Sequence, residues 1–309
     1  EMCIRDRHNL LSLKTKFFSH IIGLIFFLNF SKSSLYVELN GAKIIDFSEE
    51  IKAIPIAVFK PTGFGRLALY EKMSRGDVLT EKEQKEWEQI VYRFDTACKK
   101  AKNNDVAILI DAEESWTQVA VDDLVTQMMQ RYNTEKAIVF NTLQMYRHDR
   151  MDFMKNAHNK AKAEGYFIGF KLVRGAYMEK ENERAEALGY ESPICKSKAL
   201  TDTNFNEGIS YMLDNLDTMS LFAGTHNDES SYFLMDLMAE KGIKINEPKV
   251  WFGQLYGMSD HISYNLAEYG YNVAKYMPFG PVRDVMPYLI RRAEENTSVA
   301  GQTGRELVL

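Results

Sequence analysis

From residue 56 onward, short apolar runs alternate with stretches in which apolar residues return every three or four positions. The runs are 56–60 (IAVFK), 106–111 (VAILID), 137–141 (AIVFN), 167–173 (FIGFKLV), 220–223 (SLFA), 250–255 (VWFGQL) and 272–277 (NVAKYM). Each has the length and composition of a parallel strand covered on both faces. Between them lie helical patterns. Thr80 and Glu83 read as a capping box at the head of EKEQKEWEQIVYRFDTACKKA, and a second helix is expected from about Trp116 to Tyr132. A last one begins after Pro281 and runs through PVRDVMPYLIRRAEEN, with Val282, Val285 and Leu289 on one face.

This alternation predicts an α/β fold with a parallel sheet. A closed (β/α)8 TIM-like barrel needs eight strands, and the runs supply seven. The eighth should precede Ile56. Leu35 to Leu39 (LYVEL) is the candidate, and otherwise the barrel is expected to lack or replace its first strand. A doubly wound open sheet competes, because alternation alone does not separate the two.

The N-terminal part reads differently. Ile21 to Phe30 (IIGLIFFLNF) is strongly apolar and follows Arg5, Arg7, Lys14 and Lys16, which resembles a signal peptide or short anchor. It is short for a membrane span, and no clear small-residue cleavage site follows. The opening EMCIRDR resembles translated adapter DNA. The expected division is therefore an aberrant or foreign segment over 1–50 and a barrel domain over 51–309, with the first thirty-five or so residues set aside from functional reading.

Composition narrows the function classes. With 309 residues, 45% hydrophobic and 26% charged, the chain suits one large domain with a substantial core. Its net charge of -5 leaves no general positive surface for a polyanion, so nucleic acid is not an expected partner. The three cysteines, Cys3, Cys98 and Cys195, form no CxxC pair, and the six histidines are dispersed. A reducing compartment fits; a structural zinc does not.

Candidate chemistry gathers where strands should end: Lys60, Asp111, Asn141, Lys171 with Arg174, Thr225 with His226, Gln254 and Tyr276. In a parallel barrel these carboxyl ends share one face, so the side chains would meet at one mouth. Any one of them alone could simply cap a strand or meet solvent. Gly63, Gly65 and Ala68 mimic a dinucleotide-binding GxGxxG/A, but no second strand with a terminal acid follows, and a βα turn explains the glycines. Arg291 and Arg292 could clamp a carboxylate with Glu295 fixing their rotamers, or form a solvated basic helix end. Lys60 and Lys171 could be Schiff-base lysines of a barrel aldolase or electrostatic partners of an anion. His226 has no nucleophile elbow to serve, so a hydrolytic triad is unsupported. A third, non-catalytic possibility is a degenerate or truncated barrel that keeps the motifs but cannot fold, because its first strand and the preceding arm are gone.

The stretches FKPTGFGR, LIDAEES, FKLVRGAYMEKE, AGTHN, GQLYGM and KYMPFGPVRDVMPYLIRRAEENTS resemble the proline dehydrogenase family, in order, from about Pro55 to the C-terminus. The likeness is to the single-function branch. It implies a distorted (β/α)8 barrel with FAD at the strand ends, oxidising L-proline to Δ1-pyrroline-5-carboxylate. It further implies that electrons pass to a membrane quinone, and that the protein sits peripherally on the inner membrane from the cytoplasm, or on the mitochondrial inner membrane in a eukaryote. Arg291 and Arg292 would then hold the proline carboxylate, with Lys60 and Glu295 completing an ion-pair network. Leu255, Tyr276 and Tyr288 would wall the ring, and Asp111 and Lys171 would be the catalytic pair. Asn141, Lys171, Arg174, Gly175, Ala176, Thr225 and His226 would contact the flavin. Lys171 stands where bifunctional members carry arginine, and Met178 where an aromatic often flanks the adenine. By the same resemblance Tyr276 would favour proline over hydroxyproline, since relatives acting on hydroxyproline tend to carry a smaller residue there.

Overall fold

The computed structural model describes residues 24–28 and 55–279, together with the helical positions Met286 and Ile290. Among these residues eight strands, β1 to β8, close into a parallel barrel in sequence order. They are β1 (Leu24–Leu28), β2 (Ile56–Phe59), β3 (Ala107–Ile110), β4 (Val139–Gln144), β5 (Ile168–Val173), β6 (Met219–Gly224), β7 (Val250–Leu255) and β8 (Val273–Phe279). The helices of the outer layer are α1 (Leu67–Arg75), α2 (Glu81–Asn103), α3 (Ser115–Tyr132), α4 (Arg150–Glu164), α5 (Met178–Leu188), α6 (Lys198–Asp214), α7 (Asp228–Glu240) and α8 (Asp260–Glu268). A doubly wound sheet would leave two open edges, whereas here β1 pairs with both β2 and β8.

The expected gap before Ile56 is filled from an unexpected place. β1 lies inside the apolar run 21–30 that resembled a leader, so the barrel begins before residue 51. Leu35 to Leu39, the strand candidate, lies outside the described residues. A short, wholly apolar run satisfies a buried strand as well as a leader, and only pairing partners tell them apart.

Alternation along each strand splits the side chains into two sets. Ile108 and Ile110, Val139 and Leu143, Phe170 and Leu172, Leu221 and Ala223 face the helices in one large core. Ile56, Val58, Leu109, Phe140, Phe222, Ala274 and Tyr276 form a second cluster inside the barrel. Two glycines make room for its aromatics. A Cβ on Gly169 would lie 2.6 Å from the Phe140 ring, and one on Gly253 would lie 2.2 Å from that of Phe222. Aromatic rings thus fill the barrel below the mouth, leaving the strand ends for chemistry.

The capping box holds: Thr80 accepts from the Glu83 amide, and the Glu83 carboxylate accepts from the Thr80 amide at 3.0 Å. At the start of α3 the cap comes from another helix. The buried Glu181 of α5 accepts the Ser115 N–H and hydroxyl, each at 2.6 Å, so α3 and α5 are tied together. Gly65, one of the glycines that mimicked a dinucleotide fingerprint, is a packing residue, because a Cβ there would meet Ile90 at 2.2 Å.

Candidate active site

Interior phase decides which polar side chains reach the mouth. In β2 the interior positions are Ile56 and Val58, which puts Lys60 next in line; in β3, Leu109 leads to Asp111. Lys171 in β5, Leu255 at the end of β7 and Tyr276 in β8 share this phase. The register adds a row. Ile110 pairs with Asn141 and Thr142 with Lys171, so Asp111, Thr142 and Lys171 follow one another around the barrel.

Asp111 is the centre. Lys171 Nζ donates to its Oδ1 at 2.6 Å, and the Tyr276 hydroxyl donates to its Oδ2 at 2.6 Å. The Lys171 ammonium also lies 4.9 Å from the Tyr276 ring centroid. Three strands, β3, β5 and β8, are joined through one buried carboxylate whose two oxygens face two different donors.

A second group stands beside it. Lys60 Nζ donates to the Tyr177 hydroxyl at 2.8 Å and lies 3.9 Å from Glu113 Oε1. Burial by itself disfavours the Lys60 cation, but Tyr177, Glu113 and Asp111 outweigh it and hold the ammonium above its ordinary range. Glu113 is buried and is pushed upward by desolvation, against the pull of Lys60 and Thr62. Its carboxylate accepts from the Thr62 amide at 2.9 Å and the Thr62 hydroxyl at 2.8 Å.

The loop after β5 carries Arg174, Gly175 and Ala176. Arg174 reaches Asp202 at 2.7 Å, Thr225 at 2.8 Å and Ser230 at 2.9 Å, binding this loop to the end of β6. Gly175 has φ 142°, and a Cβ there would lie 2.5 Å from the Tyr146 ring, so its backbone is bare by necessity. His226 contacts the Ser259 hydroxyl through Nδ1 at 3.0 Å, while its Nε2 accepts the Leu255 N–H at 3.4 Å.

Two expected strand-end residues do not reach the mouth. Asn141 is the third residue of β4, not its last, and faces the helices. Its amide donates to Asp122 at 2.8 Å and accepts from the Thr142 N–H at 2.8 Å, and Asp122 is in turn paired with Arg150 at 2.9 Å. Gln254 likewise turns outward to Ser263 on α8, at 2.9 Å. The residue that does end β4 is Gln144. It donates to the Glu113 carbonyl at 2.7 Å and accepts from the Ala176 N–H at 3.2 Å. Counting in twos from Phe140 finds it; stopping the strand at the first polar residue misses it. Tyr177, Glu113 and Thr62 were missed too, because they sit on loops with no periodicity. Tyr288, Arg291, Arg292 and Glu295 lie outside the described residues.

These residues suit an anionic, ring-bearing cofactor. Lys171 and Arg174 supply positive charge, and Gly175 and Ala176 form an exposed stretch of backbone beside Tyr146. The Thr142 hydroxyl, buried inside the barrel next to Lys171, has no hydrogen-bond partner among the described residues. No metal-binding cluster occurs among the described residues, and no described helix is long and apolar enough to cross a membrane.

Comparison with known proteins identifies the family and the fold. The proline dehydrogenase family model matches residues 23–305. The carbapenem antibiotics biosynthesis protein CarD of Pectobacterium carotovorum is 35% identical over 264 residues, covering 85% of this chain and 68% of that protein. Human proline dehydrogenase 1, mitochondrial, is 38% identical over 230 residues, covering 74% of this chain. The chain spans only 38% of that human protein's length. In fold, proline utilization A from Bdellovibrio bacteriovorus superposes with a TM-score of 0.77 at 20% identity, over 94% of this chain and 32% of that one. Proline dehydrogenases and proline utilization A proteins are FAD-dependent flavoenzymes. With a matching model over most of its length and a barrel whose first strand falls within that match, this chain belongs to the proline dehydrogenase family.

Proposed function

We propose that this chain oxidises L-proline to Δ1-pyrroline-5-carboxylate with FAD, the electrons passing on to a membrane quinone. The observation that carries the reading is the Lys171–Asp111–Tyr276 constellation, which joins three strands towards their carboxyl halves inside the barrel. Bound FAD supplies the acceptor for the hydride that leaves the proline ring. Lys171, Arg174, Gly175, Ala176, Thr225 and His226 are the residues that would hold it, and Asn141 acts at one remove, by anchoring β4 to Asp122.

The chain's own groups orient the substrate. Lys60 presents a persistent cation to a carboxylate, and Arg291, Arg292 and Glu295 from the C-terminal segment would complete the clamp. Tyr276 is fixed by donating its hydroxyl proton to Asp111, so its ring forms a wall beside Leu255, to which Tyr288 would be added. Holding the carboxylate at one end and the ring at the other sets which carbon faces the acceptor. With FAD bound, the Lys171 cation would offset negative charge developing on the reduced cofactor. The site of action would be the inner face of a membrane carrying the quinone, mitochondrial in a eukaryote.

An aldolase needs an unprotonated amine. Lys171 is committed to Asp111 at 2.6 Å, and Lys60 is held in its charged form, so that reading loses its nucleophile.

The test is spectroscopic. The purified chain should be yellow and should bleach when L-proline is added without oxygen. A colourless protein that folds yet takes up no FAD would overturn the proposal, as would a flavoprotein left oxidised by proline.

A further inference from the structure

Glu113 belongs to none of the roles above, yet it is tied to three separate segments at the mouth. Its N–H donates to Gln118 Oε1 at 3.3 Å, and its carbonyl accepts from Gln144 at 2.7 Å. Its side chain accepts both the amide and the hydroxyl of Thr62, in the turn that follows Lys60. The loop after β3, the turn after β2 and the end of β4 are thus locked at one point. A residue needed only to staple these loops could be neutral. A carboxylate here is costly, since only 9% of its side chain is exposed and desolvation favours the protonated form. The Lys60 ammonium, 3.9 Å away, and the two Thr62 hydrogen bonds offset part of that cost.

Three other groups face Lys60 among the described residues. Asp111 is engaged by Lys171 and Tyr276, Tyr177 accepts the Lys60 hydrogen bond, and Glu113 supplies a fixed negative charge behind it. Because Glu113 is tied to Thr62, Gln118 and Gln144, its charge draws the ammonium to one side of the mouth.

We infer that Glu113 is a positioning residue: through its charge, not its hydrogen bonds to Thr62, it holds the Lys60 ammonium where a substrate carboxylate is received. The inference rests on the proposed carboxylate-binding role of Lys60. It separates two functions of one side chain. The hydrogen bonds to Thr62 keep the loops together, and the charge keeps Lys60 in place.

Glu113→Gln divides them, because the amide oxygen can still accept the Thr62 N–H and the amide NH2 can donate to the Thr62 hydroxyl, while the charge is gone. In the FAD-loaded protein, Glu113→Gln should raise KM for L-proline about tenfold and change kcat much less. Calorimetric titration with cyclopentanecarboxylate, a ring acid with no amine to oxidise, should show a similar loss of affinity. In a Lys60→Met background the same substitution should have almost no further effect, since the group it acts through is absent. If Glu113→Gln leaves both KM and cyclopentanecarboxylate affinity at the parent value, or if its effect persists undiminished without Lys60, the inference is wrong. Should Glu113→Gln fail to fold, Thr62→Val carries the test. Losing one Thr62 bond frees the carboxylate to approach Lys60, so KM should move by less than twofold, and a tenfold rise would show that the hydrogen bonds, not the charge, matter. Failure of the functional reading looks different: the unsubstituted protein itself would neither bind the ring acid nor bleach with proline.

Discussion

Lys171 and Asp111, 60 residues apart in the chain, form a buried ion pair of 2.6 Å at the barrel mouth. Their side chains are only 9% and 11% exposed, so neither charge can fall back on solvent if the other is removed. Asp111→Ala should therefore lower stability by about 3 kcal/mol, the usual cost of stranding one partner of such a pair. Adding Lys171→Met to it should cost less than the two single changes summed. Urea midpoints of the four proteins measure this, and an unchanged midpoint for Asp111→Ala would show that the pair is not buried as described.

The interior aromatics give a second stability prediction. A methyl group on Gly253 would collide with the Phe222 ring, since the nearest ring atom would be 2.2 Å away. Gly253→Ala should cost about 1–3 kcal/mol by overpacking, and Phe222→Leu introduced with it should recover part of the loss. Thermal melting decides it: a Gly253→Ala protein as stable as its parent would mean that the ring does not occupy the barrel.

Asp149 controls part of the response to acid. Burial alone would raise this carboxyl, but Arg150 and Arg147 outweigh it and hold it at about 2. The folded protein thus binds this proton more weakly than the unfolded chain does. Its stabilisation is complete above the ordinary carboxylate range and fades as pH falls towards 2. Because 38% of the side chain is exposed, screening limits the effect to about 1 kcal/mol. Asp149→Asn should lower the melting temperature near neutrality and converge with the parent near pH 2; an equal gap at both ends would refute the assignment.

The carboxylate clamp is tested at Arg291 and Arg292. Arg291→Met and Arg292→Met should each raise KM for L-proline by about tenfold or more, as expected for losing a hydrogen bond between charged groups. Steady-state kinetics on the two variants suffice. Parent-like proline kinetics in both would remove these residues from the site.

How much could be read from residues alone depended on whether the information was local. Seven of the strands were evident because a strand buried on both faces is a short apolar run, and the start of α2 because a capping box occupies four adjacent residues. Lys60 and Asp111 each end such a run and Lys171 and Tyr276 lie within one, so all four could be named from the sequence, and the structure joins Asp111 to Lys171 and Tyr276. Where the run gave no clean end, the reading slipped. Asn141 looked terminal only because it was the first polar residue, yet β4 continues to Gln144 and the phase turns Asn141 towards Asp122.

The sequence by itself determined the period of the elements, the parallel class of sheet and the family, since all of these are written in adjacent residues and short motifs. Tertiary structure alone decided that the run 24–28 is a barrel strand, because an apolar segment declares its role only through what pairs with it, here β2 and β8. It likewise decided that Glu113, Thr62 and Tyr177 gather around Lys60. Contacts between loops depend on how the barrel closes, and closure brings together residues that no spacing along the chain relates.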